Sequence, residues 1–477
     1  MAMEFDAVVV GAGTAGSNAA YQLAMRGLSV ALIERRTLAS AGAQWHNGVL
    51  DWQFERAGLR PSAPPERSTP VPRLHMFDSA GRHAFTMEEP PTVAANMSLL
   101  GDRLRTLAAD HDVQMFDNAT DMDVRLEGDR IVSIGLRARN AEPRNAEPGA
   151  ELSTADGSAT SEKLQFDATL FVDASGRHGA LRKHSPLLQR WCPTVRGDEL
   201  CSASDFRFEI ADRTGADCFL DRHGASPGET ITSVGNAGGF STISITVADG
   251  LDQVSILVGC LANGRYGTGP RMLDAVRRSN PWIGEPRSGG SGVIPLRRPY
   301  SRFTAPGLAL VGDSACQVFP AHGSGIGFGL IAGRMLAEAV TASSPPADIG
   351  DETTLWSYQA DFQREFGGAL AAYDGLRRMT TALGSTGVGT MLSSRLLTES
   401  MARSGLNQVW DTPPIVETAS MAPRLGRTPR LAAQILPMLL RSQLAGRVAG
   451  RHPLSPDLAE IERWDTRVNR ALGTSST

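Results

Sequence analysis

Three short apolar runs in this chain end in glycine turns, and the residues gathered there are the ones suited to chemistry. The first run, Ala7 to Val10, reads as a strand buried on both faces. It leads into Gly11-Ala-Gly13-Thr14-Ala15-Gly16. In this G-x-G-x-x-G spacing the first glycine makes the tight turn, the second lets backbone approach a pyrophosphate, and the third lets a helix close on the strand. Ala15 to Met25 has helical apolar spacing. Its first turn, with Thr14 and Ala15, would offer free N–H groups and a positive dipole end to a phosphate. Gly27 ends that helix, Val30 to Ile33 reads as a second strand, and Glu34 stands at its end beside Arg35. A carboxylate there, eighteen positions after Gly16, is placed to accept hydrogen bonds from a ribose diol. Strand, helix, strand and acid in this order predict a dinucleotide site.

Two later stretches repeat the theme. Phe166 to Val172 is a buried strand that ends in Asp173-Ala-Ser-Gly176, with Arg182 close behind. Leu308 to Val311 precedes Gly312-Asp313-Ser-Ala-Cys316-Gln-Val-Phe-Pro320-Ala-His322-Gly323-Ser-Gly325-Ile326-Gly327, a Gly-Asp turn and a glycine-rich entry to a helix reaching about Val340. Between the first and second stretches, Thr37 to Gly48 reads as a loop containing Trp45, His46 and Asn47. It is either a wall of the cofactor ring site or a loop whose Trp packs locally.

Other elements must position these turns. Residues 61–72 are proline-rich and read as an exposed connection. Leu99 to Ala109 reads as a helix, and Val113 to Phe116, Met122 to Leu126 and Arg130 to Leu136 read as strands of a meander. Residues 138–162, with the duplicated Asn-Ala-Glu-Pro, read as a long hairpin excursion. Alternation at Asp205 to Ile210, Phe240 to Val247 and Gln253 to Val258 predicts a separate antiparallel sheet, and 271–279 a short helix. Leu355 to Leu383, 388–404 and 430–449 read as helices that form a core-packing layer, a cap, a dimer surface or a membrane contact.

Composition narrows the class. The chain has 477 residues, 41% hydrophobic and 21% charged, with a formal net charge of −4, which suits an ordinary globular protein and no nucleic-acid partner. Five scattered cysteines include no C-x-x-C pair or metal-ligand spacing, which predicts no metal and a reducing compartment. No run reaches the roughly 18 apolar residues of a spanning helix, and no signal peptide precedes the first strand, so a soluble cytoplasmic protein is expected.

Together and in this order, the three stretches resemble the flavoproteins of the para-hydroxybenzoate hydroxylase fold, which include aromatic hydroxylases, flavin-dependent halogenases and geranylgeranyl reductases. The resemblance covers about residues 4–340. It implies an α/β chain: a Rossmann-like FAD-binding domain from 1–190 and 290–345, an inserted antiparallel β-sheet substrate domain at 191–289, and a helical C-terminal region at 346–477. It implies FAD, with Gly11, Gly13, Gly16 and neighbouring Thr14 and Ala15 at the diphosphate, and Glu34 and Arg35 at the adenosine ribose. Gly312 and Asp313 would lie at the ribityl chain, and Pro320, Gly323, Gly325, Ile326 and Gly327 at the diphosphate or flavin ring. Asp173 and Gly176 match the family's mid-chain motif in part, which would put Asp173 among the cofactor-binding residues, and Arg182 matches the base that follows; the alternative is that Asp173 simply holds its own turn.

The subfamily is less directly marked. The late glycine-rich segment looks like the geranylgeranyl reductase group, yet that group's Cys-Gly loop is replaced by Gly42-Ala43-Gln44. The halogenase Trp-x-Trp-x-Ile-Pro element and relay lysine are lacking, since Lys163 and Lys183, the only lysines, flank the mid-chain motif. The favoured expectation is a FAD-dependent monooxygenase or oxidase of a small hydrophobic substrate. The alternatives are an ene reductase of a prenyl or polyene chain and a non-redox flavin-dependent cyclase. His46 and His322 are the candidate proton-transfer residues, and Trp45, Asn47 and Phe240 the candidate substrate contacts. Cys316 reads as a flavin-facing thiol or an inert buried cysteine, and Arg297 and Arg298 as ligands of an acidic substrate group or caps of the sheet. With no second G-x-G-x-x-G unit, electrons would come from transient NADH or NADPH binding or from a partner reductase. A homodimer is also an expectation.

Overall fold

The computed structural model describes residues 2–140, 162–342, 348–410, 421 and 423–474. The expected hairpin excursion lies almost wholly in 141–161, outside the described residues.

The N-terminal run forms β1 (Ala2–Val10), followed by α1 (Thr14–Ala24) and β2 (Val30–Ile33). Next come β3 (His46–Val49), α2 (Asp51–Arg56), β4 (Arg73–Asp78), β5 (His83–Glu88), β6 (Val93–Asn96) and α3 (Met97–Ala109). A meander β7 (Gln114–Glu127), β8 (Arg130–Asn140) and β9 (Glu162–Asp173) leads to α4 (Pro186–Trp191). The middle of the chain gives β10 (Leu200–Ile210), α5 (Arg213–His223), β11 (Thr230–Val234), β12 (Ser241–Val247), β13 (Gln253–Leu261), α6 (Gly269–Ser279) and β14 (Ile283–Pro295). Short strands β15 (Thr304–Ala305) and β16 (Leu308–Leu310) precede α7 (Ile326–Val340). The rest is helical: α8 (Glu352–Phe362), α9 (Gly368–Ser393), α10 (Glu399–Leu406), α11 (Pro429–Ala449) and α12 (Leu458–Leu472).

The first sheet has a parallel centre in the order β7-β2-β1-β9-β16, the arrangement that an apolar run followed by a crossover helix dictates. β1, β2 and β9 supply a continuous buried core from Ala7, Val8, Leu32, Phe171 and Val172, covered by α1, α3 and α7. The two strands expected over 113–126 are one strand. Register shifts near Asp117 and Thr120, with positive φ at Asn118 and Asp121, bend β7 out of the parallel sheet so that its far half pairs with β8. All three glycine turns lie at the carboxyl ends of β1, β9 and β16, where open α/β sheets bind ligands.

The second sheet runs β14-β10-β13-β12-β11-β4-β5. It therefore draws β4 and β5 from residues 73–88, well before the 191–289 segment, and β14 runs beyond its end. Register explains the division of its faces. Phe208, Val254, Ile256, Val258 and Ile245 bury one face beneath α5 and α6. Cys201, Ala203, Asp205 and Arg207 alternate onto the opposite face of β10, with Gly259 and Leu257 opposite them on β13 and Gly292 and Gly290 on β14.

The expected long helix over 355–383 is instead α8, a π-type turn at Gln363–Gly367 and α9. α9 is tied to the second sheet through a buried charge network: Asp374 accepts from Arg377 Nη2 at 2.9 Å and Arg378 Nε at 2.9 Å, and Arg378 reaches Glu199 at 2.6 Å. Burial alone would raise the Asp374 pKa, but the Arg378 and Arg377 guanidiniums outweigh it and hold the group well below the usual carboxylate range. The connection at 61–72 is only partly exposed, because buried Glu66 receives two hydrogen bonds from Arg103 of α3.

Candidate functional site

The first and third glycine turns meet because α1 and α7 touch almost backbone to backbone. A side chain at Gly329 would stand 2.9 Å from Ala15 Cβ, one at Gly333 3.0 Å from Ala19 Cα, and Asn18 Nδ2 donates to the Leu330 carbonyl at 2.7 Å. Ala15 also lies under Gly312. This contact puts the N-terminus of α1 beside that of α7, so two positive helix ends face one space. Gly16 is required for the closure, since a Cβ there would lie 1.9 Å from the Gly11 carbonyl oxygen.

Glu34 closes the first turn. Its Oε2 accepts from Ala12 N at 2.9 Å and its Oε1 from Arg36 N at 3.0 Å, which leaves lone pairs on both oxygens for a diol. Arg35 is exposed beside it. Arg105 of α3, a residue that motif reading missed, is buried and donates Nη1 to the Ala12 carbonyl at 3.1 Å. The available signal was a lone arginine between Leu104 and Ala108 on the buried face of that helix.

Asp313 differs from the other acids. Its carboxylate has no hydrogen-bond partner among the described residues, and burial pushes it up to about 6 despite Arg177 nearby. A side chain at Gly325 would come within 3.0 Å of its Oδ1. An acceptor without a donor, an acid with lone pairs left for a diol and two convergent helix ends are what a flavin dinucleotide needs, so the residues present fit FAD.

Asp173 is used otherwise. Its Oδ1 accepts from Ser175 N and Oγ, at 3.1 and 2.6 Å, and its Oδ2 from Leu181 N and Arg182 N, both at 2.8 Å. All four donors come from its own turn, so Asp173 holds that turn in place. Arg182 then links this turn to the late one, donating Nη1 to the Ser314 carbonyl at 2.8 Å and to Tyr300 Oη at 3.1 Å. Burial pushes the Cys316 thiol up to about 11, the inert reading of that residue. Arg297 and Arg298 meet the chain's own acids, Glu199 and Asp465, which fits the second of their two readings, a structural role, over binding an acidic substrate group.

His46 to Gly48 do not lie in a loop. They begin β3, which pairs with β6, and Ser324 of the late motif donates to the Gly48 carbonyl at 3.2 Å. Burial, helped by Arg207, pushes His46 down to about 4, so it stays neutral near neutral pH. His322 packs its exposed ring on Phe319, with Nε2 3.3 Å from the Gly405 carbonyl oxygen, where α10 covers the late turn. Trp52 and Gln53 of α2 reach the same covering segment through Asn407 and Gln408.

Trp45 carries the turn-bearing domain onto the second sheet. Its ring lies against Gly290 and Gly292 of β14, the residues opposite Asp205 and Ala203. Beyond it, Cys201, Leu261 and Leu296 form an apolar cluster with Ala203, Phe240 and Ile294, and Ile294 and Leu296 line Gly323 of the late turn. Desolvation pushes Asp205 up to about 7, against the pull of Arg207. Arg207 donates Nη2 to Ser68 Oγ at 3.0 Å, and its buried Nε has no partner among the described residues. Neither Asp205 nor Arg207 was singled out from sequence, because only the sheet register shows which face they occupy.

Comparison with known proteins agrees with this geometry. Residues 6–69 match the family model described as FAD dependent oxidoreductase. The chain is 22% identical to a digeranylgeranylglycerophospholipid reductase of Sulfolobus acidocaldarius over 83% of its own length and 82% of the relative's. It is 25% identical to a digeranylgeranylglycerophospholipid reductase of Methanopyrus kandleri over 86% of its length and 100% of the relative's. Its fold matches a geranylgeranyl bacteriochlorophyll reductase-like protein of Thermoplasma acidophilum with a TM-score of 0.68 at 16% identity, covering 90% of this chain and 100% of that one. A flavin-dependent brominase matches at 0.56 with 18% identity, covering 90% and 100% respectively. The chain therefore has the fold of these flavoproteins, and its N-terminal segment, residues 6–69, resembles the FAD dependent oxidoreductases.

Proposed function

We propose that this protein is an ene reductase of isoprenoid chains. The observation that carries the reading is the face of β10, β13 and β14 beside the late turn: Ala203, Gly259 and Gly292 leave a smooth strip, an apolar cluster flanks it, and one acid, Asp205, lies at its polar end. A long, unfunctionalised hydrocarbon chain asks for shape and apolar surface, with a single proton source at the reacting carbon. The resemblance to digeranylgeranylglycerophospholipid reductases along most of the chain supports the same substrate class. The monooxygenase expectation rested on features shared by the whole fold superfamily, and the full-length relatives favour the reductase.

FAD would be held by Gly11, Gly13, Gly16, Glu34, Asp313 and the segment Gly323 to Gly327, and once reduced it would supply a hydride equivalent to a carbon–carbon double bond. Asp205 holds a proton near neutral pH and delivers it to the second carbon, so the bond gains two hydrogens. Trp45 and the apolar cluster exclude water and orient the chain. Arg207 keeps Asp205 from rising further and fixes the polar end of the strip. Electrons come from outside the chain, either from NADH or NADPH bound transiently or from a partner reductase. The test is product mass: chemically reduced holoprotein given a geranylgeranyl ether lipid without oxygen is expected to add two mass units per bond reduced. A product heavier by one oxygen, formed only in air, would overturn the reading.

A further inference from the structure

Among the described residues no helix is long and apolar enough to cross a membrane, yet α11 turns a strongly apolar stripe to solvent. It buries Leu431, Ile435, Ser442, Ala445 and Ala449, the face it packs on α9. On the other side Leu436, Leu440 and Leu444 are 45%, 67% and 53% exposed. Their i, i+4, i+8 spacing keeps them on one face, about 80° wide at 100° per residue.

Charge around the stripe is one-sided. From Thr418 to Pro456 the sequence holds six arginines (424, 427, 430, 441, 447 and 451) and no aspartate or glutamate, in a chain whose net charge is −4. None of the six forms an ion pair among the described residues, whereas arginines elsewhere are extensively paired. α12 carries mixed charge instead, with exposed Arg463, Arg467 and Arg470 alongside exposed Glu460 and Glu462. An apolar stripe flanked by unpaired guanidiniums matches a surface with a hydrocarbon interior and an anionic rim. A second copy of this chain would bring the same unpaired positive charge to the contact.

We infer that α11 is an interfacial helix that seats the protein on an anionic membrane surface through Leu436, Leu440 and Leu444, with its arginines at the lipid phosphates. The inference rests on this surface and not on which reaction the flavin performs.

Flotation of the full-length holoprotein with phosphatidylcholine vesicles, with and without phosphatidylglycerol, tests it. The protein is expected to float with the anionic vesicles, less as salt rises, and hardly at all with neutral ones. Replacing all three leucines (L436Q/L440Q/L444Q) should lower the bound fraction about tenfold or more, with FAD content and melting temperature unchanged. Arg430→Glu with Arg447→Glu should abolish the preference for anionic vesicles. Wild-type protein that stays in solution, or a triple variant that floats as well as wild type, would overturn the inference. So would a wild-type dimer that the triple variant converts to monomer without any vesicle binding, since the stripe would then belong to a second copy. Product formation in detergent is not read here, so failure would leave the reductase reading standing.

Discussion

The indole of Trp45 occupies the space a side chain at Gly290 would need: a Cβ there would stand 2.4 Å from Trp45 Cε3. Two segments 245 residues apart are thus fitted ring to backbone, and the fit brings the first domain's wall onto the sheet face that carries Asp205. Gly290→Ala is expected to push the ring aside at a cost of about 1–3 kcal/mol, the range for overpacking a well-filled contact. Steady-state kinetics should show kcat/KM down by about tenfold or more, with the flavin spectrum unchanged. Unchanged kinetics would mean the contact is not part of the substrate wall.

Asp205 makes a pH prediction. Burial holds it protonated up to about 7, so the acid form, the proton donor, is lost as pH rises through that value. Under single-turnover conditions kcat/KM should therefore fall tenfold per pH unit well above 7. Asp205→Asn should lower the rate by about 10²–10⁴-fold, the range for losing a general acid, and remove the alkaline limb. Asp205→Glu should restore part of both. His46, held down to about 4, should contribute no limb near neutrality.

Glu34 ties the acid at the end of β2 to the first glycine turn. Glu34→Ala removes a carboxylate acceptor from Ala12 N and Arg36 N and from any bound diol. Hydrogen bonds to a charged group contribute about 1.5–3 kcal/mol each, so FAD affinity, read by fluorescence titration, should drop at least about tenfold. Gly16→Ala should be worse, because the α1–β1 closure itself is blocked.

The Asp374 network predicts acid sensitivity of the fold. Its folded-state pKa is depressed below the ordinary carboxylate value of about 3.9, so its stabilisation is present above that value and lost as pH falls below it. Replacing it with alanine leaves Arg377 and Arg378 buried without their anion, a loss of about 3–5 kcal/mol. Thermal melts should show a large drop at pH 7 and a flatter acid limb than wild type.

The legible parts of this fold are those encoded by contiguous residues. β1, α1, β2, β9 and α7 were readable because each pairs an apolar run with a turn residue, and Gly11 to Gly16, Glu34 and Asp313 stand where those patterns place them. Residues whose role depends on distant partners were not. β4 and β5 join the second sheet through β11, some 155 residues on, which no local pattern announces. Asp205 and Arg207 sit in an alternating strand that looks the same whichever face is buried. Trp45 was legible as unusual, but its partner Gly290 was not, because a glycine marks a close approach without naming what approaches. Asp173 matched a motif yet spends both oxygens on its own turn, a fact that only its hydrogen bonds reveal.

The most direct test of the central claim is anaerobic mixing of the reduced holoprotein with a geranylgeranyl ether lipid while the flavin absorbance is followed. The absorbance is expected to return without oxygen, in step with formation of the saturated product, and Asp205→Asn is expected to slow both together. A flavin that stays reduced until air is admitted, whatever lipid is present, would contradict it.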